Sequence, residues 1–248
     1  MARPGLTKIP PFFVARPPGP PAPMHAAPTS PHATEPLARL LLQWGVAPVP
    51  AAPVAERLGG WLGWADAIGL SQVLAAAPAA GTDAAARHAA QDWAGAALER
   101  LQAELAAAFD DALLARESAE AAPDGVPLAD LLAPYRLHHA QQQRSMAARI
   151  ATLRERLRPR LAEASGTLAR LAQLDAVFER ATVAQERTLL GGLPALLTRR
   201  AEHHRAADPR HWRARFWADL QRALRAELDL RLQPVLGLVE ALHDDAPR

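Results

Sequence analysis

The chain has 248 residues, of which 58 Ala, 37 Leu and 27 Arg make up nearly half, with a formal net charge of +2 and neither Cys nor Asn. That composition excludes a disulfide framework, a thiolate metal site, a cysteine nucleophile and an N-glycosylation acceptor. The pI near 9.8 suggests a polyanion partner, but it arises because Arg replaces Lys almost completely (Lys8 alone remains), not from a large excess of charge.

Residues 1–36 hold eleven of the 23 prolines, and no acid precedes Glu35. The run Arg16-Pro17-Pro18-Gly19-Pro20-Pro21-Ala22-Pro23 allows only extended or polyproline-like backbone, because each Pro fixes φ and removes a donor. Residues 1–33 therefore read as a disordered tail. A ligand for a proline-binding domain and a translation start at Met24 are the alternatives. Residues 34–243 read as a single helical domain, with short helices over 34–76, a long-helix bundle over 83–243 and a frayed end at 244–248.

Thr34 is placed to cap a first helix with Pro36 in its first turn, Leu37, Leu40, Leu41 and Trp44 on its apolar side and Gly45 at its end. A Pro/Ala linker from Ala47 to Pro53 leads to a second helix carrying Leu58, Trp61, Leu62 and Ala65. Asp66 is placed to cap a third, through Ile68, Leu70, Val73 and Leu74. Gly59, Gly60 and Gly63 beside Trp61 and Trp64 mimic a membrane-helix packing motif, but Asp66 and the shortness of the run favour docking onto the bundle.

From Asp83 the spacing predicts four long helices. The first covers 83–116, with Trp93, Ala97, Leu101, Leu105, Phe109 and Leu113 on one stripe, and Pro123-Asp124-Gly125 ends it. A turn through Leu128, Leu131 and Leu132 precedes Pro134, which is placed in the first turn of the second helix, 135–164. Its stripe is Met146, Ile150, Leu153, Leu157 and Leu161. Ser165-Gly166 separates it from a third, with stripe Leu168, Leu171, Leu174, Phe178 and Ala181, reaching 206 but kinked or broken at Gly191-Gly192 and Pro194. Asp208-Pro209 caps the fourth, which runs to about 243 on Trp212, Phe216, Leu220, Leu224, Leu228, Leu232, Val235, Val239 and Leu242, bent by Pro234. Long helices with short connections fold back on one another. The fold class is all-α: an elongated antiparallel bundle. Charge supports the pairing, since 83–125 carries a net −6 and 136–160 a net +6.

No constellation in the chain assembles catalytic chemistry, and no catalytic, cofactor or metal residue is expected. A di-iron bundle needs two Glu-x-x-His pairs, and only Glu240 and His243 fit. Within His138-His139 and His203-His204 the two rings diverge by about 100° on a helix and cannot chelate one ion. His139 and Gln142 extend the Met146 stripe, where buried polar groups set helix register. No Gly-x-Ser-x-Gly or phosphate loop occurs. Arg154, Arg156, Arg158 and Arg160 stand at i,i+2 spacing, which spreads their charge around the helix instead of concentrating it for a groove of nucleic acid.

Ala133-Pro134-Tyr135-Arg136, Leu171-Ala172-Gln173-Leu174-Asp175-Ala176-Val177, Leu193-Pro194-Ala195-Leu196-Leu197 followed by Arg199-Arg200, and Ala226-Glu227-Leu228-Asp229-Leu230-Arg231-Leu232-Gln233-Pro234-Val235 resemble an uncharacterised bacterial family, domain of unknown function number 3348. The stretch from Trp61 to Ile68 is similar to its N-terminal signature. The resemblance covers about residues 34–243 and implies no catalytic residue. It implies partners near the cell envelope, since such families are found near genes for proton-channel-like and outer-membrane-protein-like proteins. With no run long enough to span a membrane and no signal-peptide core, the chain is expected in the cytoplasm. The expected function is a non-enzymatic helical scaffold or adaptor that self-associates or docks a protein partner. The runner-up is a nucleic-acid-associated protein holding phosphates through Arg-rich helix surfaces.

Overall fold

Leu, Ala and Arg at helical spacing produce nine α-helices and no strand among the described residues, which in this computed structural model are 36–47, 54–76 and 83–245. The helices are α1 Pro36–Gln43, α2 Val54–Trp61, α3 Trp64–Ala75, α4 Ala84–Ala108, α5 Ala112–Ala119, α6 Leu128–Ala164, α7 Gly166–Leu190, α8 Leu193–Ala207 and α9 Trp212–Asp244. The expectations for the tail, Thr34, the linker and the last three residues lie outside the described residues. At 1.5 Å per residue α6 alone is roughly 55 Å long, so the bundle is elongated. α6 packs against α4, α7 and α9, while α9 also carries α1, α5 and α8, and α3 lies on α7. The predicted stripes of α6 and α9 form the core. Met146, Leu157, Leu161, Leu224 and Val235 are fully buried, with Phe109 and Trp212 the largest side chains between them.

Five boundaries differ from the sequence reading, the first being that α2 stops at Trp61, so that Ala65, expected on the second helix, lies in the first turn of α3. The first long helix breaks at Phe109, and α5 restarts on Asp111, whose carboxylate accepts the amides of Leu113 and Leu114 at 3.0 Å each. The new register turns Leu114 inward and leaves Leu113 exposed. α6 begins at Leu128, six positions before Pro134, so Pro134 and Pro159 lie inside it. Both prolines face solvent, where water serves the carbonyls they leave without a donor, and the missing hydrogen bonds do not end the helix. α3 starts after Gly63 with no side-chain cap, leaving Asp66 inside the first turn. Asp208 does cap, accepting from Arg210 and His211 at 3.3 and 3.0 Å, but it closes a turn that precedes α9. The break between α7 and α8 falls at Gly191-Gly192 as expected, and Pro234 lies within α9.

Candidate functional site

The turn at Ser165, whose hydroxyl accepts the amide of Leu168 at 3.2 Å, sends α7 back along α6. Arg154 and Arg158, one turn apart on α6, then face Asp175 and Glu179, one turn apart on α7. Arg154 Nη2 donates to Asp175 Oδ1 at 2.5 Å, and Arg158 Nε to Asp175 Oδ2 at 2.8 Å. Glu179 completes the square, 3.5 Å from Arg154 and 2.5 Å from Arg158. Arg154 and Asp175 are both buried. The alternate arginines turn the other way: Arg156 and Arg160 stack over Trp93 of α4, 5.4 and 3.8 Å from its ring centroid. The i,i+2 spacing does spread the charge, and it does so onto two neighbouring helices. α4 and α6 are neighbours, as the opposite net charges suggested, joined by the Arg149–Glu104 pair.

A second network centres on Glu227 of α9, whose side chain is wholly buried. Its carboxylate accepts from Gln143 at 3.1 and 3.2 Å and from Arg231 at 2.8 and 2.9 Å, with His139 Nε2 3.6 Å away. Arg231 also holds Glu186 of α7, so α6, α7 and α9 meet there. Burial pushes the Glu227 carboxyl up, but His139, Arg231 and Gln143 together outweigh it and hold it below the ordinary glutamate range. A third network sits on Asp219, which accepts from Arg200 and from His204, each at 2.8 Å, and pairs with Arg222. There too burial raises the carboxyl, and His204 and Arg200 prevail and lower it.

The break between α4 and α5 leaves the carbonyl of Phe109 facing the core. His138 Nε2 and Gln221 Nε2 both donate to it, at 3.1 and 2.5 Å. Burial pushes His138 below its ordinary value; the neutral ring suits this role with its Nε2 protonated. Tyr135 packs edge-on to Phe216 with centroids 5.4 Å apart, and burial pushes its phenol up to about 12. It stays protonated at neutral pH.

These shifts set a pH dependence. Glu227 and Asp219 bind protons more weakly folded than unfolded, where ordinary carboxyls titrate near ~4. Their contribution is present above that range and is lost as pH falls through it. His138 is also depressed, so the fold loses stability as pH falls below ~6.5. All three act in one direction. Urea midpoints measured at pH 8, 5.5 and 3 should fall in that order; equal midpoints at pH 8 and 3 would refute the assignment.

Beside the first two networks α6 and α7 splay apart. The resulting groove, about 840 Å³, has walls of Ala140 to Arg154 and Glu179 to Leu190, a floor of Leu230, Arg231, Gln233 and Pro234, and Trp61 at its edge. Ala147, Ala148 and Ala151 keep one wall low, and Val183 and Leu189 stand exposed on the other at 44 % and 60 %. Arg144 and Arg187, both exposed, line the groove with no ion partner among the described residues.

His138 and His139 diverge as expected, toward Phe109 and Glu227, whereas the rings of His203 and His204 stay in edge contact with centroids 5.7 Å apart, His204 holding Asp219. His243, exposed, bonds the carbonyl of Val239 at 2.7 Å, which is where the single Glu-x-x-His leads. Among the described residues no group of three or more His, Asp or Glu is placed to hold a metal ion. His139 is buried on the Met146 stripe, but the residue beside it that reaches Glu227 is Gln143; Gln142 Oε1 finds no partner. Sequence reasoning missed the buried acids Asp175, Asp219 and Glu227. The available signal was a pair of i,i+4 sets on consecutive helices, Arg154/Arg158 and Asp175/Glu179, and acids flanking the α9 leucine stripe. Strings that carry the family resemblance contain Asp175, Arg200, Glu227 and Arg231.

No helix among the described residues is long and apolar enough to cross a membrane. No curated protein and no solved structure matches the chain. The family described as Protein of unknown function (DUF3348) matches residues 21–244, beginning inside the proline-rich segment that the resemblance had left out. The chain belongs to that family.

Proposed function

We propose that this protein is a non-enzymatic helical adaptor acting through protein–protein interaction at the α6–α7–α9 groove. The observation that carries the reading is the groove itself. Its Ala-rich wall, exposed Val183 and Leu189, and the Leu230 and Pro234 of its floor offer what an amphipathic helix needs to bury its apolar face. The charged side chains beneath it are held by one another: Arg154 by Asp175 and Glu179, Arg231 by Glu227 and Glu186. Side chains so engaged stiffen the walls and leave little free to do chemistry on a ligand. We place the adaptor in the cytoplasm, serving an envelope-associated assembly in line with the family resemblance. Phosphate binding is less well supported, because the densest Arg run is occupied by acids on one side and Trp93 on the other. Ala148→Glu, at an exposed position of the groove wall, should abolish chemical cross-linking to the docked chain while the helical circular dichroism is unchanged. Cross-linking that survives this substitution, or association with DNA or RNA that weakens steeply with salt, would overturn the reading.

A further inference from the structure

The ion network beneath the groove fixes the level of two further cations. Gln143 of α6 donates to Glu227 of α9, and Arg231 of α9 pairs with both Glu227 and Glu186 of α7. These contacts set residues 143 and 186 level with each other on opposite walls. The next residue on each wall is an arginine, Arg144 on α6 and Arg187 on α7. Both are exposed, both line the groove, and neither has an ion partner among the described residues. Every other charged side chain of the lining is engaged: Arg154 with Asp175 and Glu179, Arg231 with Glu227 and Glu186. Nor does α6 offset the pair from its own surface, since residues 136–160 carry seven Arg against the single acid Glu155.

The groove is thus cationic at one end and apolar beyond it. From Arg144 its wall continues through Ala147, Ala148 and Ala151 to Arg154, about 15 Å at the helical rise per residue. Val183 stands exposed on the opposite wall. That length accommodates about three turns of a helix.

We propose that the occupant of the groove is an acidic amphipathic helix of a partner protein, with carboxylates at one end seated between Arg144 and Arg187. The proposal rests on the adaptor reading and names the charge of its partner. A small anion would use the two arginines and leave the alanine wall and Val183 in water, whereas a helix with acids at one end covers both. Guanidinium groups on opposite walls can each take a carboxylate through paired N–H donors. The same two charges repel a basic helix, so they select among partners as well as attract.

Binding of fluorescein-labelled synthetic helices to the full chain tests this. Three peptides share an apolar face of leucine and alanine and differ only at two positions near one end, filled by glutamate, glutamine or lysine. The glutamate peptide should bind about tenfold tighter than the glutamine peptide at low salt, and the advantage should shrink as ionic strength rises. Arg144→Glu combined with Arg187→Glu, both at exposed positions, should reverse the order, so that the lysine peptide binds tightest while circular dichroism is unchanged. Equal affinity of the wild type for all three, no binding of any, or an order that the double variant leaves unchanged would overturn the proposal. So would release of the glutamate peptide by inorganic phosphate where chloride of equal ionic strength has no effect, because the arginines would then be a phosphate site. Three peptides that bind equally and are all lost with Ala148→Glu would sink this inference and leave the adaptor reading standing.

Discussion

Glu227→Leu is expected to destabilise the protein by about 3–5 kcal/mol, because it strips the partner from charges that the fold has taken out of water. Glu227 is wholly buried and accepts from Arg231 at 2.8 and 2.9 Å and from Gln143 at 3.1 and 3.2 Å. With a leucine there, Arg231 retains only Glu186, and the Gln143 amide has no acceptor. The leucine adds apolar contact, but a desolvated guanidinium that has lost half its pairing costs more than a methyl group returns. For a chain of this size each kcal/mol moves the thermal midpoint by roughly 2–4 °C, so the midpoint should fall by about 6–20 °C. Glu227→Gln keeps an acceptor and nearly the same volume and should lose less. Urea unfolding followed by circular dichroism measures both; a loss under about 1 kcal/mol for Glu227→Leu would show that the network is not stabilising the junction of α6, α7 and α9.

Asp175→Ala should cost about 3–5 kcal/mol for the same reason. Arg154, only 8 % exposed, and Arg158 would share Glu179, which lies 3.5 Å from the first and 2.5 Å from the second. Here a compensating change separates charge from packing. Replacing the pair together, Asp175→Leu with Arg154→Met, should recover much of the loss, since exchanging a buried ion pair for apolar groups of similar volume is often neutral or better. The cycle of single and double variants should therefore be strongly non-additive. Arg156→Ala is the control: that side chain is exposed and only stacks over Trp93 at 5.4 Å, so its loss should stay under about 1 kcal/mol. Additive losses in the 175/154 cycle would place the stabilisation in packing instead of the ion pair.

Local signals were enough where one face decides an element. The stripes of α6 and α9, the turn at Ser165-Gly166 and the break at Gly191-Gly192 follow from helical spacing and backbone restriction alone. Gly45 takes a positive φ of 79° just after α1, as a helix-ending glycine does, and Gly125, at 75°, makes the turn that precedes α6. The break at Phe109 was not legible. Its carbonyl is satisfied by His138 and Gln221, 29 and 112 residues away in sequence, and without those donors a continuous helix would be the better use of the same residues. Pro134 misled for the opposite reason: on the exposed side of α6 its missing donor matters little.

The ion networks divide in the same way. Complementary net charge correctly made α4 and α6 neighbours, because the sum over a helix face survives small errors of register. Which arginine meets which acid did not follow from it. Arg154 and Arg158 turn to α7 and Arg156 and Arg160 to α4, since successive i,i+4 pairs on one helix lie on different sides and only the third helix determines which side is occupied.

By itself the sequence determined an all-α chain, the faces its longest helices bury and the absence of cysteine chemistry, since helical periodicity and residue type act within a few turns of the backbone. Tertiary structure alone decided that Asp175, Asp219 and Glu227 are buried and paired, that a groove opens between α6 and α7, and that Trp61 stands at its edge. A carboxylate's neighbours in space come from helices distant in sequence, and whether it is buried depends on their packing.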